Sequence, residues 1–333
     1  MKKIVVAGIY NQDALVLFQT MCPSGYSLEI VGVPSEEELI IAVSDADVLF
    51  VRGRVELTDE LLRKAKKLRL IQKWGAGFDQ YDMVQIGRYN IPFMNCAGVN
   101  SIQVAEMTFA LILALYRRIL PVSEDMKQGI WSKERYLPDC HIVYGKEIGV
   151  VGLGNIGRQV VRLAQGFGAT VRYYDEYRLP LSTEQELGVE YVPLETLLAK
   201  SDIVTLHVPL LSSTKNLINA HTLSLMKPSA VLINAARGGI VDEKALYSAL
   251  IAKTISGAAL DVLEDEEHQS EQNNPLFDLP NVVITPHMGA STAEVLPAMV
   301  QRCYDNVLGV EAGTIKPTQY QNYRYFTQTA QVI

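Results

Sequence analysis

Three apolar, strand-like segments in the second half of this 333-residue chain each end in a residue that could do chemistry. Leu232-Ile233-Asn234-Ala235-Ala236 runs into Arg237-Gly238-Gly239, and Ala258-Ala259-Leu260-Asp261 runs into Glu264-Asp265-Glu266-Glu267. Thr285-Pro286 leads to His287-Met288-Gly289. An arginine presents a planar, permanently charged fork that grips paired oxygens. A histidine trades protons near neutral pH, and a carboxylate beside it favours the protonated imidazole. Together they can hold an anionic ligand and move a proton to or from one of its oxygens. Singly, a carboxylate run is usually a solvated loop and an isolated histidine a structural one. Their coincidence at the carboxyl ends of strands, where ligands bind in open α/β sheets, makes them a candidate site.

Upstream lies a glycine fingerprint. Ile148-Gly149-Val150-Val151 leads into Gly152-Leu153-Gly154-Asn155-Ile156-Gly157, after which Val160, Val161 and Leu163 have helical spacing. In such a motif Gly152 permits the tight turn, Gly154 admits a pyrophosphate close to the backbone, and Gly157 lets helix and strand pack closely. The helix N-terminus offers unpaired N–H groups to the phosphates. A second strand, Val171-Arg172-Tyr173-Tyr174, ends in Asp175, where a carboxylate accepts from ribose hydroxyls and repels a 2′-phosphate. This favours NAD over NADP, with the nearby Arg178 as the residue that could offset the repulsion.

These residues need two sets of elements to position them. Strands are expected over residues 3–7, 28–33, 48–51, 69–72 and 91–94, with helices over 14–21, 36–43, 59–65 and 81–88 between them. A long helix is expected over 100–120, then strands over 147–151, 170–174, 203–206, 230–234, 256–260 and 282–285, and a last helix over 291–311. The alternation predicts an α/β protein with two doubly wound parallel sheets. The domains read as 1–99 with 291–333, and 100–290, the last helix returning to the first domain. A length of 333 residues and 48% apolar composition suit two globular domains.

The net charge of −7 argues against nucleic-acid or anionic-membrane partners. Cys22, Cys96, Cys140 and Cys303 have no metal-site or redox spacing and read as thiols in a reducing compartment. No metal site is expected. The apolar run from Ile4 to Ile9 meets Asn11-Gln12-Asp13 too soon for a signal peptide, and residues 108–116 are too few to span a bilayer, so a cytoplasmic protein is expected.

With Gly75-Ala76-Gly77-Phe78-Asp79, Asn100-Ser101 through Ala105-Glu106, and His207-Val208-Pro209 followed by Thr214, the sequence resembles the D-isomer-specific 2-hydroxyacid dehydrogenases over nearly its whole length. The resemblance implies a Rossmann NAD-binding domain and a flavodoxin-like substrate domain, with closure around bound ligands. It implies that Arg237 holds the substrate carboxylate and polarises the C2 oxygen, and that His287 is the general acid/base. The family's acidic partner falls on Glu266; Leu263 and Glu267 depart from the pattern there, which leaves Glu264 and Glu267 as alternatives. Asp261 is implied to meet the nicotinamide carboxamide, and Asn155, Ile156, His207, Pro209, Thr214 and Ala235 to line the cofactor site. Ala76 and Gly77 would present backbone N–H groups to the substrate carboxylate, and Asn100 would sit at the hinge near substrate or cap its helix.

Arg52, Arg54 and Lys73 follow strands of the first domain, at positions where phosphoglycerate dehydrogenases bind the substrate phosphate. Trp74 is bulkier than usual there and points the other way, towards a narrower pocket for glyoxylate, hydroxypyruvate or another short keto acid. A formate dehydrogenase is disfavoured, because that branch pairs its histidine with glutamine. The C-terminal-binding corepressors share this fold as scaffolds, which makes an NAD(H)-binding scaffold the alternative of another class. The resemblance also implies a homodimer formed through the cofactor domain.

Overall fold

The computed structural model describes residues 1–53, 55–266 and 274–327. The chain divides into two compact units, Met1–Asn100 with Thr292–Ile333, and Ser101–Ser291.

In the first unit, β1 (Lys2–Ala7), β2 (Tyr26–Gly32), β3 (Val48–Val51), β4 (Leu70–Lys73) and β5 (Phe93–Met94) form a parallel sheet in the order β2-β1-β3-β4-β5. This is the flavodoxin-like order, with its topological switch between β1 and β3. Alternate residues of β3 feed opposite faces: Leu49 and Val51 pack with Leu39, Leu61 and Phe93, whereas Val48 and Phe50 pack with Phe18, Val300 and Tyr304. The helix Val295–Glu311 thus completes one face of a sheet built from the start of the chain. Tyr304 is 1% exposed and donates its hydroxyl to the Phe18 carbonyl at 2.5 Å. Helical ends follow the local chemistry. Ser35 forms a capping box with Glu38, and Asp82 caps Met83–Arg88, which moves that helix two residues beyond the start expected from periodicity. The last helix starts at Val295 rather than 291. An earlier start would put Pro297 past the first turn, where it removes a hydrogen bond and collides with the preceding turn.

The described part of the tyrosine-rich tail is tied to the first sheet. Asn322, fully buried, accepts from Phe93 N at 3.0 Å and donates to the Ile91 carbonyl at 2.8 Å, while Gln321 N bonds the Phe93 carbonyl at 2.9 Å. The tail thereby covers the edge strand β5.

In the second unit, β6 (Glu147–Val151), β7 (Thr170–Tyr174), β8 (Glu190–Tyr191), β9 (Ile203–Leu206), β10 (Val231–Asn234), β11 (Gly257–Leu260) and β12 (Val282–Ile284) form a parallel sheet. Its order is β12-β11-β10-β9-β6-β7-β8. The order reverses beside β6, as in a dinucleotide-binding fold. The two-residue edge strand β8 is too short to leave a periodic signal. The helix expected over 100–120 is two: Ser101–Tyr116 ends before Arg118, whose left-handed backbone (φ 51°) redirects the chain into Ile119–Lys127. Among the described residues no helix is long and apolar enough to cross a membrane.

Candidate active site

Parallel register aligns the strand ends that carry the second unit's polar residues. Asn234 pairs with Leu260, and Leu260 with Ile284, so the turns bearing Arg237, Asp261 and His287 leave neighbouring strands at one level. Gly238 lets two of these turns meet. A Cβ there would lie 2.0 Å from the Leu263 carbonyl, so any side chain would push the arginine turn off the carboxylate turn. Asn234, 1% exposed, braces the arginine turn by donating to the Arg237 carbonyl at 2.9 Å and accepting from Ala236 N at 3.1 Å. The half-buried Arg237 donates from Nη1 to the Ala236 carbonyl at 2.7 Å.

His287 Nδ1 lies 2.8 Å from Glu266 Oε2, both side chains about half exposed. With Nδ1 turned to the carboxylate, Nε2 is the ring nitrogen left to meet a substrate. Of the alternatives, Glu264 makes no such contact with His287; its backbone N–H bonds Glu243 Oε1 at 2.6 Å. Glu267, the other alternative, lies outside the described residues, as does Arg54.

The histidine sits in a left-handed conformation (φ 52°), uncommon for a side-chain-bearing residue, and Asp261 holds it there. The 1%-exposed Asp261 carboxylate accepts from Thr285 Oγ1 at 2.6 Å, Met288 N at 2.8 Å and Gly289 N at 2.7 Å. Its own carbonyl accepts from His287 N at 2.8 Å. Sequence reasoning gave Asp261 a cofactor contact and missed this clasp, together with Asn234 and Thr285. The available signal was a polar residue closing a buried strand, which needs internal partners.

The fingerprint glycines form a cradle. Gly152 turns at φ 97°, and a Cβ on it would strike the His207 backbone at 2.7 Å. A Cβ on Gly157 would lie 2.2 Å from the Gly152 carbonyl oxygen. Gly154 faces open space and precedes the twelve-residue helix Asn155–Gly166, which has no side-chain N-cap bond, so its first N–H groups are offered outward. Ile156 follows in the same turn. Asp175 Oδ2 accepts from Leu153 N at 2.8 Å, which fixes the carboxylate beside the glycine turn. Arg178 forms a two-point ion pair with Glu184 at 2.8 and 2.9 Å and lies over the Tyr191 ring, so it does not offset the Asp175 charge. His207 Nε2 is 2.9 Å from Thr205 Oγ1 and its Nδ1 is a shielded atom with no partner; burial pushes the imidazole down to about 3, leaving it neutral. Thr214 Oγ1 bonds the Pro209 carbonyl at 2.6 Å and Leu211 N at 2.8 Å, pinning that loop, while Ala235 is buried at the end of β10. A glycine cradle, an open helix N-terminus and a fixed carboxylate fit a dinucleotide whose adenosine ribose carries free hydroxyls.

In the first unit, Lys73 is 7% exposed and bonds the Trp74 carbonyl at 2.6 Å. Ala76 and Gly77 follow Gly75 (φ 94°) in a half-buried turn, with the Ala76 carbonyl held by Asn95 Nδ2 at 2.5 Å. Arg52 is half-buried. Trp74, expected to narrow a pocket, is 8% exposed and lies in the aromatic core against Phe18. Asn100 does not cap its helix: its Oδ1 is buried without a partner. Cys96 and Cys303, far apart in sequence, meet at 3.6 Å as buried free thiols.

A dinucleotide fold whose adjacent strand ends bear an arginine and a glutamate-paired histidine defines an NAD-dependent oxidoreductase acting at a CH–OH carbon. Residues 109–289 match the model for the D-isomer specific 2-hydroxyacid dehydrogenase NAD binding domain. A D-3-phosphoglycerate dehydrogenase of Methanocaldococcus jannaschii is 40% identical over 90% of this chain, which spans 55% of that protein's length. A glyoxylate reductase of Thermococcus litoralis is 38% identical over 85% of this chain and 86% of its own. The solved D-lactate dehydrogenase of Aquifex aeolicus, complexed with NAD and lactic acid, superposes with a TM-score of 0.81 at 30% identity, covering 93% of this chain and 96% of that one. The chain belongs to the D-isomer-specific 2-hydroxyacid dehydrogenase family, and its cofactor is NAD.

Proposed function

We propose that the chain interconverts a D-2-hydroxy acid and its 2-keto acid, and that it is most like a D-3-phosphoglycerate dehydrogenase. The observation that carries the reading is the 2.8 Å contact between His287 Nδ1 and Glu266 Oε2 at the carboxyl edge of the sheet. In the reducing direction the imidazolium gives its Nε2 proton to the oxygen forming at C2, while the Glu266 carboxylate at Nδ1 orients the ring. In oxidation the neutral ring takes that proton back. Bound NADH supplies the hydride that reduces C2. Arg237 holds the substrate carboxylate with its fork and draws electron density towards the C2 oxygen. The Ala76 and Gly77 backbone and Asn100 are assigned to the same carboxylate, and Arg52 and Lys73 to the far end of the substrate.

Gly152, Gly154, Asn155, Ile156 and Gly157 take the pyrophosphate, Asp175 the adenosine ribose, and His207, Pro209, Thr214 and Ala235 line the cofactor site. Asp261 accepts two bonds on Oδ1 and one on Oδ2, so Oδ2 keeps one acceptor site for the nicotinamide amide. The second reading is a glyoxylate or hydroxypyruvate reductase, favoured by relatives of those names at 36–38% identity. The four free thiols support a cytoplasmic location. Exposed Ile119, Leu120, Ile130, Trp131, Ile142 and Tyr144 on the second unit support a homodimer, which light scattering would show as twice the 36.9 kDa chain mass. A steady-state screen of phosphohydroxypyruvate, hydroxypyruvate, glyoxylate and pyruvate with NADH tests the activity. Tight NADH binding without turnover of any keto acid would support a scaffold instead.

A further inference from the structure

Glu243 opens the helix Glu243–Ile251, and its carboxylate binds the chain on either side of Glu266. Oε1 accepts from the Glu264 N–H at 2.6 Å, just before Glu266, and Oε2 accepts from Asn274 Nδ2 at 2.9 Å, beyond it. The base that carries this carboxylate is fixed. Asp242 N bonds the Ile218 carbonyl at 2.8 Å, and the Asp242 side chain caps the helix through Ala245 N at 3.0 Å. Leu246 and Leu250 of the helix share one core cluster with Leu263 and Leu276. The turn it reaches is held less firmly by packing. Leu263 is the last buried residue before Glu266, while Glu264 and Glu266 themselves are exposed. Burial thus stops short of the carboxylate that meets His287 Nδ1 at 2.8 Å. A backbone N–H given to a carboxylate makes a charge-assisted bond, the stronger kind, and it falls where packing ends. The Glu264 nitrogen would also lie 2.4 Å from a Cβ on Gly238, so the turn that Glu243 holds abuts the arginine turn. On the returning side, Asn274 is 9% exposed and accepts from Leu276 N at 3.1 Å.

We infer that Glu243 is a positioning residue: by accepting from Glu264 N–H and Asn274 Nδ2 it sets the turn that presents Glu266 to His287. This rests on the proposed dehydrogenase activity, in which His287 moves the proton and Glu266 orients its ring. Glu243 acts only through that turn. A misplacement of about 1 Å, even one caused far from the chemistry, can cost as much as a hundredfold in rate. Glutamine at position 243 still offers an oxygen to Glu264 N–H and should largely replace glutamate. Aspartate keeps the charge but withdraws it by one methylene, and should not.

The test is steady-state kinetics with NADH on whichever of phosphohydroxypyruvate, hydroxypyruvate, glyoxylate and pyruvate the native chain reduces fastest. Glu243→Ala should lower kcat about tenfold with the NADH Kd within about twofold of native, whereas Glu243→Gln should keep kcat within about threefold. The decisive comparison repeats the alanine change in a Glu266→Ala background. A residue that acts through the Glu266 carboxylate has nothing left to position there, so the further loss should be about twofold or less. A tenfold loss in both backgrounds would mark Glu243 as a general support of the fold and overturn the inference. Native kcat in Glu243→Ala, or a glutamine variant as slow as the alanine one, would overturn it too, and each leaves the dehydrogenase intact. No turnover of any of the four acids would overturn the activity and the inference with it. Should Glu243→Ala not fold, Glu243→Asp takes its place in both backgrounds with the same expected losses, and native kcat with aspartate refutes the role.

Discussion

Three glycines along one helix should answer an alanine scan in three different ways. At Gly157 the new Cβ would sit 2.2 Å from the Gly152 carbonyl oxygen and 3.3 Å from Val150 Cγ1. The helix Asn155–Gly166 must then withdraw by about 1 Å to restore ordinary contact, at a cost of about 1–3 kcal/mol for an overpacked site. In a unit of this size that corresponds to a fall in Tm of about 2–4 °C per kcal/mol. NADH binding weakens with it, because the displaced helix carries the phosphate-facing N–H groups. Gly154 faces open space in extended backbone (φ −74°, ψ −156°), so Gly154→Ala should leave Tm within about 1 °C yet weaken NADH at least about tenfold, its methyl occupying the pyrophosphate approach. Gly166, also with no neighbour within 4 Å, closes the helix, and alanine there should raise stability by up to about 1 kcal/mol with NADH binding unchanged. Thermal melts and NADH fluorescence titrations on the three variants give the readout. If Gly154→Ala binds NADH like the native chain, the cradle is not the pyrophosphate site. If Gly157→Ala melts at the native temperature, close helix–strand packing is not what that glycine provides.

His287→Ala should lower kcat by about a hundredfold or more while NADH titrations stay near the native Kd; undiminished turnover would remove it as the acid/base. Asp175→Ala should shift the NADH to NADPH ratio of kcat/KM towards NADPH by on the order of tenfold, since Arg178 is held by Glu184 and does not already favour a phosphate. An unaltered ratio would refute Asp175 as the discriminator. Burial holds the His207 imidazole at about 3 against an ordinary 6.5. Its contribution to stability is therefore complete above pH 6.5 and is lost as pH falls towards 3, by about 2–3 kcal/mol at pH 4.5. Urea midpoints at pH 7.5 and 4.5 should lie closer together in His207→Asn than in the native chain, and an equal gap in the two would contradict the assignment.

What was readable before the structure was whatever local sterics dictate. The spacing of Gly152, Gly154 and Gly157 follows from one turn and one helix start, and the placement of Arg237 and His287 follows from where apolar strands stop. Tertiary closeness left no such trace. Nothing local distinguishes Asp261 as a ligand contact from Asp261 as the clasp of the histidine turn, because the partners Thr285, Met288 and Gly289 come from the next strand end. Trp74 read as a bulky pocket residue, but its ring turns inwards beneath Arg52, a direction set by Phe18 and Tyr10. The break at Arg118 was hidden by a good helical composition on both sides, and the tail was unreadable because its order depends on the exposed edge of β5.

The helix Val295–Glu311 has a consequence for the order in which the molecule can be made. Met299, Val300, Cys303 and Tyr304 cover Phe18, Phe50 and Trp74 on the first sheet, yet they are separated from it in the chain by the whole of Ser101–Ser291. At typical synthesis rates those intervening residues take about 10–40 s to emerge. Through that interval the second unit can close on itself, while the earlier sheet waits with an aromatic face bare to water and to neighbouring nascent chains. The unit translated first is the one completed last.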